Sequence, residues 1–242
     1  LTRSQVVIED ERGRPANRKI HTINIGSNRI EKGGYKHFME KEIYEQPSVI
    51  AQTLKHYIGA SGQISIRDAN LDFSSVERIT FVACGTAFYA CLTAKYWMEK
   101  LARIPVDVDV ASEFRYRTPP LSAKSVAIFV SQSGETADTL AALRYCKGKA
   151  AHIWSVTNVA ESSIARESDL DLPIFAGIEI GVASSKAFTC QLTVLLSIAL
   201  KAANDRDQIN NSAYQEIIKA MQILPTLINL TLDRHESFRL AA

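Results

Sequence analysis

Val126-Ala127-Ile128-Phe129-Val130-Ser131-Gln132-Ser133-Gly134-Glu135-Thr136-Ala137-Asp138-Thr139 is the stretch from which the rest of this chain can be read. It opens with an unbroken apolar run, the pattern of a strand covered on both faces in a parallel sheet. A hydroxyl-rich turn with one glycine follows, and then an amphipathic helix over Ala137 to Lys147. Strand, short polar loop and helix is the unit from which α/β domains are built.

Working outward, the same unit recurs on both sides. Apolar runs predict strands near Arg78 to Ala83, Val106 to Val110, Val126 to Ser131, Ala151 to Thr157 and Leu170 to Pro173. Helical spacing is read near Ala87 to Leu101, Ser112 to Arg117, Ala137 to Lys147 and Ser162 to Glu167, then in a long helix from Ser184 to Ala203. The expected class is α/β, a doubly wound, flavodoxin-like parallel sheet of five strands with its ligand site at the carboxyl ends of the strands.

Towards the amino terminus, Gln5 to Glu9 and Lys19 to Ile25 alternate apolar and polar residues around the turn Arg12-Gly13-Arg14-Pro15-Ala16-Asn17, which is hairpin patterning. Two helical segments, His37 to Glu45 and Ser48 to Ile58, are expected to break at Pro47. Beyond the sheet, Ser212 to Leu240 reads as helical throughout. These shifts divide the chain at 1–30, 31–58, 59–205 and 206–242. The chain starts at Leu1 and stops inside a helical pattern, and it is expected to be a piece of a longer protein.

Composition narrows the partners. With 242 residues, 46% of them hydrophobic, the chain can bury a sizeable core. A net charge of +2 creates no field suited to nucleic acid or an anionic membrane, so a small anion is the expected ligand. The four cysteines, Cys84, Cys91, Cys146 and Cys190, are far apart and lack partners at metal-ligand spacing. They suggest no zinc site and no disulfide framework, and a reducing cytoplasm is the expected location. The apolar run near Leu192 to Ala203 reads as too short and too mixed to span a bilayer.

Three segments carry the chemistry, each where a strand gives way to a helix and backbone amides stand free for an anion. In Cys84-Gly85-Thr86, Gly85 allows a sharp turn, and Thr86 is either an ordinary helix cap or a ligand donor. In Ser131-Gln132-Ser133-Gly134-Glu135-Thr136 the hydroxyls and one amide form a dense neutral donor set able to wrap a phosphate monoester without lysine. A helix-capping pair, Ser133 with Thr136, accounts for only part of it and leaves Ser131 and Gln132 unexplained. Glu135 would repel a phosphate and is expected to point away. In the third segment, Gly181-Val182-Ala183-Ser184-Ser185-Lys186-Ala187-Phe188-Thr189, small residues permit close approach, and Ser184 can cap the long helix while also facing the pocket. Lys186 is open between facing an anion and facing solvent.

The string Ser131 to Thr139 resembles the signature of the sugar isomerase (SIS) domain. His37-Phe38-Met39-Glu40-Lys41-Glu42-Ile43-Tyr44-Glu45-Gln46-Pro47 and Ser112-Glu113-Phe114-Arg115-Tyr116-Arg117 are similar to stretches of the isomerising glutamine:fructose-6-phosphate aminotransferase family. The resemblance covers about residues 5 to 205. It implies that residues 1–30 are the end of a glutaminase domain, and that the chain holds the first of two isomerase lobes. It also implies that ammonia from glutamine is added to fructose 6-phosphate to give glucosamine 6-phosphate and glutamate, without metal or organic cofactor. Positions matching Cys84, Gly85, Thr86, Ser131, Gln132, Ser133, Thr136, Val182, Ala183 and Ser184 would hold the phosphosugar. The proton-transfer groups would lie in the second lobe and tail, so no catalytic residue is expected here. Ala87 departs from relatives that carry serine. A homodimer is implied, with the long helix from Ser184 a candidate contact, and Arg115 and Arg117 are open between an interface pair and solvated charges. A stand-alone SIS isomerase or deglycase is the rival, disfavoured by the 37–47 string. A sugar-phosphate-sensing regulator would need a helix-turn-helix segment, which residues 1–30 do not offer.

Overall fold

The computed structural model describes residues 2–3, 5–16, 31–66 and 71–241. It divides into two units, Leu1–Gly33 and Gly34–Ala242, each taken by itself. In the first, Glu9 and Pro15 form an antiparallel bridge closed by Gly13 N–H on the Asp10 carbonyl at 2.9 Å. The Asp10 carboxylate accepts from the amides of Arg12 and Arg14 and from the Arg14 guanidinium, so these basic residues belong to a self-contained turn. The expected second arm, Lys19 to Ile25, lies outside the described residues.

The second unit contains α1 (Phe38–Tyr57), β1 (Arg78–Ala83), α2 (Gly85–Trp97), β2 (Val106–Val110), α3 (Ala111–Arg117), β3 (Ser125–Ser131) and α4 (Ala137–Cys146). It continues with β4 (His152–Thr157), α5 (Ser163–Glu167), β5 (Leu170–Pro173), α6 (Lys186–Asp205), α7 (Asn211–Leu232) and α8 (His235–Ala241). The five strands are parallel in the order β2-β1-β3-β4-β5. This is the doubly wound, flavodoxin-like order read from the apolar runs, with its switch point between β1 and β3.

Alternation along each strand feeds two cores. Ile79, Phe81, Ile128, Val130 and Trp154 face a layer containing Ile50 of α1, Cys91 of α2, Leu195 of α6 and Ile218 of α7. Val82, Ala127, Phe129 and Ile153 face Phe114 of α3, Leu143 of α4 and Ile164 of α5. Thus α2 and α4, which leave adjacent strands, run down opposite faces of the sheet.

Four expectations are corrected. Helix α1 runs unbroken through Pro47, because Gln46 Nε2 donates to the Ile43 carbonyl at 3.0 Å, the acceptor that Pro47 cannot serve. The tail divides into α7 and α8 rather than forming one helix. By length and composition α6 could cross a membrane, a longer apolar segment than the sequence suggested, yet Val194, Leu195, Ile198 and Leu200 are fully buried in this fold. That burial also removes most of α6 as an exposed subunit contact.

Candidate functional site

Parallel register sets Ala83 beside Val130 at the carboxyl ends of β1 and β3. Cys84-Gly85-Thr86 and Ser131 to Thr136 therefore leave neighbouring strands, one turning to each face of the sheet, and the crevice of the switch point opens between them. Gly85 adopts φ +57, which lets the chain enter α2 directly from the strand. The N-cap positions of α2 and α4 are Cys84 and Thr136, and neither side chain caps its helix. Helices α1 and α3 also start without a side-chain cap, so that property alone marks no site. What sets α2 and α4 apart is that they leave adjacent strands on either side of the switch point, so their starts flank one crevice, where both dipoles favour an anion.

The hydroxyls divide by role. Ser131, only 4% exposed, accepts the Gly134 N–H at 3.1 Å and shares a 3.0 Å hydrogen bond with the Thr136 hydroxyl, so it shapes the turn from within. Ser133 is exposed and accepts the Glu135 N–H at 3.2 Å. Thr86 is exposed and Gln132 half-buried at the rim. The ordinary capping explanations for Thr86 and for the Ser133–Thr136 pair do not describe these bonds.

The turn is braced from behind by α5. Gly134, at φ +65, accepts the Ile164 N–H at 3.0 Å, and a Cβ on Gly134 would stand 1.9 Å from Ser162 Oγ. Glu135 does point away: its carboxylate accepts the Ser163 N–H at 2.7 Å, and that bond draws its pKa below the usual carboxylate value. Its charge is thereby committed to the α5 terminus rather than to the crevice.

Val182, Ala183 and Ser184 stand on the loop between β5 and α6. Ser184 is not the cap of α6; its hydroxyl donates to Glu179 Oε2 at 3.1 Å, while Glu179 Oε1 accepts the amides of Ser185 and Ala187. Neither alternative for Lys186 holds. It is 3% exposed, with Nζ 2.7 Å from Glu45 Oε2 on α1 and a further bond to the Ile178 carbonyl. Arg117 pairs with Asp109 at 2.6 Å, and Arg115 lies over the ring of Tyr116, so both are engaged within this chain.

One residue overlooked in the sequence ties the second segment to the exit of β5. Asn158, just past β4, donates its backbone N–H to the Gln132 carbonyl at 3.1 Å and its Nδ2 to the Gly177 carbonyl at 2.6 Å. Its only sequence signal is an Asn at the carboxyl end of a strand, a common turn residue. Among the described residues the direct bonds of the third segment to the rest of the chain run to Ile178, Glu179 and α1, not to the first two segments.

The resulting arrangement sets backbone amides, hydroxyls and one side-chain amide around the carboxyl ends of β1 and β3. The model for the SIS domain matches residues 72–201. The chain is 51% identical over 233 residues to the glutamine--fructose-6-phosphate aminotransferase [isomerizing] of Brucella abortus biovar 1 (strain 9-941), covering 96% of this chain and 38% of that protein. It is 50% identical to the Mesorhizobium japonicum protein of the same name over 237 residues, covering 98% of this chain and 39% of that one. Among solved structures, the C-terminal domain of glucosamine-fructose-6-phosphate aminotransferase from Francisella tularensis superposes with a TM-score of 0.81 at 40% identity, over 86% of this chain and 58% of that one. This chain thus spans under two-fifths of the length of the curated relatives it matches.

Proposed function

Since the chain belongs to the SIS domain family, we propose that it is the first phosphosugar-binding lobe of an enzyme that makes glucosamine 6-phosphate and glutamate from fructose 6-phosphate and glutamine. The observation that carries this reading is the pair of helix starts, α2 and α4, which leave adjacent strands without side-chain caps and share one hydroxyl-rich crevice. A phosphate monoester placed there meets first-turn amides of both helices, the exposed Thr86 and Ser133 hydroxyls, and the Gln132 amide. Several hydrogen bonds to a charged acceptor replace the ion pair that a lysine would provide. Ser131 and Thr136 hold the turn in shape, and the loop at Val182, Ala183 and Ser184 walls the sugar.

The relatives' printed names favour the aminotransferase over a stand-alone isomerase or deglycase. In that enzyme residues 1–30 end the glutaminase domain, 31–58 link it to the lobe at 59–205, and 206–242 lead towards a second lobe. This chain binds fructose 6-phosphate and glucosamine 6-phosphate but does not interconvert them, since none of its crevice residues is a base suited to moving a proton between sugar carbons. The enzyme works as a cytoplasmic homodimer. Tyr89 and Tyr96 support α2 as a contact, being seven positions apart on one helix and 62% and 71% exposed.

The test is calorimetric titration with both phosphosugars, unphosphorylated fructose and a Ser133→Ala variant. Binding of both phosphosugars, none of fructose, and roughly tenfold weaker binding by the variant are expected. Equal binding of fructose and fructose 6-phosphate would remove the phosphate from the recognition scheme.

A further inference from the structure

Helix α1 lies outside the stretch matched by the SIS model, yet it carries buried charges that the crevice itself does not use. Glu42 is 2% exposed, and its Oε1 accepts the amides of Ile180 at 2.6 Å and Gly181 at 3.1 Å. Its Oε2 lies 3.2 Å from the same Gly181 amide. One turn further along α1, Glu45 takes the Lys186 ammonium at 2.7 Å and stands 3.6 Å from Lys41 Nζ. The middle of the loop between β5 and α6 and the first residue of α6 are thus fastened to one stretch of α1.

A carboxylate so deeply buried persists only where donors replace its water. Two successive backbone amides do so here. Gly181 permits it, since a Cβ there would lie 2.5 Å from Glu42 Oε2. Between these two fastened points, Val182 is fully exposed and Ala183 is exposed, with no core packing to define where they stand.

We propose that Glu42 is a positioning residue for the phosphosugar site: by gripping the Ile180 and Gly181 amides it sets where Val182, Ala183 and Ser184 stand, while the Glu45–Lys186 pair anchors the far end. The shape of the sugar wall then depends on a helix that the SIS domain match does not include. This rests on the reading that residues 182–184 line the phosphosugar site.

The test pairs amide hydrogen exchange on the ligand-free chain with fructose 6-phosphate titration, for the unsubstituted chain, Glu42→Ala and Glu42→Gln. In Glu42→Ala, exchange over residues 178–184 is expected to quicken at least tenfold while β3 stays protected, and the Kd to rise about tenfold. Glu42→Gln, whose amide oxygen still accepts, keeps most of both. Unchanged exchange over 178–184, or faster exchange everywhere with an unchanged Kd, overturns the role. Should Glu42→Ala not fold, Glu42→Asp decides it, since its shorter side chain withdraws the carboxylate from the two amides: faster exchange confined to 178–184 supports positioning, and unchanged exchange opposes it. Failure of the phosphosugar reading looks different. The unsubstituted chain then takes up no fructose 6-phosphate, while the exchange contrast still tells whether Glu42 holds the loop.

Discussion

The backbone amide of Asn158 donates to the Gln132 carbonyl at 3.1 Å, and the Asn158 side chain reaches the opposite way, to the Gly177 carbonyl at 2.6 Å and the Ala176 amide at 2.9 Å. A single residue at the end of β4 therefore sets the height of the hydroxyl-rich turn and the point at which the chain leaves β5. Its backbone bond survives any substitution except proline, whereas its side-chain bonds can be removed cleanly.

Asn158→Ala leaves a half-buried donor and acceptor without partners, and should lower stability by about 1–3 kcal/mol. Urea unfolding followed by circular dichroism checks this, with the midpoint falling and the slope unchanged. A midpoint equal to that of the parent would show that the strut carries no load.

Gly134→Ala introduces two faults together, a side chain at φ +65 and a Cβ 1.9 Å from Ser162 Oγ. Backbone strain alone costs about 1–3 kcal/mol, and the collision adds to it. Adding Ser162→Gly should recover the collision part but not the strain, so the double variant melts between the parent and Gly134→Ala.

Gln46→Ala should cost about 1 kcal/mol in the parent, because the Ile43 carbonyl loses the side-chain donor that stands in for the bond Pro47 cannot donate. In a Pro47→Ala background the same change should cost almost nothing. A double-mutant cycle by chemical denaturation measures the difference.

Glu167 accepts from Arg144 and Lys147 at 2.6 and 2.7 Å, and these bonds hold its pKa down to about 2 from 4.5. A carboxylate with a depressed folded pKa stabilises the fold fully above its unfolded pKa and loses that contribution as pH falls through the folded value. The difference in urea midpoint between the parent and Glu167→Gln should therefore be largest at pH 6, shrink between about 4.5 and 2, and be reduced by salt because the pair is partly exposed. A difference that grew on acidification would contradict the sign.

Much of the sheet was legible because its signals are local. The runs Arg78–Ala83 and Leu170–Pro173 were delimited to the residue, and Ser125–Ser131 to within one. The crevice was half legible for the same reason, since the Ser131 to Thr136 donors crowd into consecutive positions after a strand. What stayed hidden depends on partners distant in sequence. Lys186 could not be placed because Glu45, which neutralises it, is 141 positions away. Ser184 read as a helix cap because nothing local announces that Glu179 takes that task. Pro47 read as a break because the Gln46 side chain that replaces its missing bond has no pattern of its own.

The claim on which the rest depends is that a phosphate seats between the starts of α2 and α4. Backbone amide shifts of the labelled chain during titration with fructose 6-phosphate locate it residue by residue. The largest shifts are expected at Thr86, Ala87, Ser133 and Thr136, with inorganic phosphate moving the same set. Shifts confined to another face, such as the exposed Arg78–Asp107 pair at the opposite ends of the strands, would place the ligand elsewhere and contradict it.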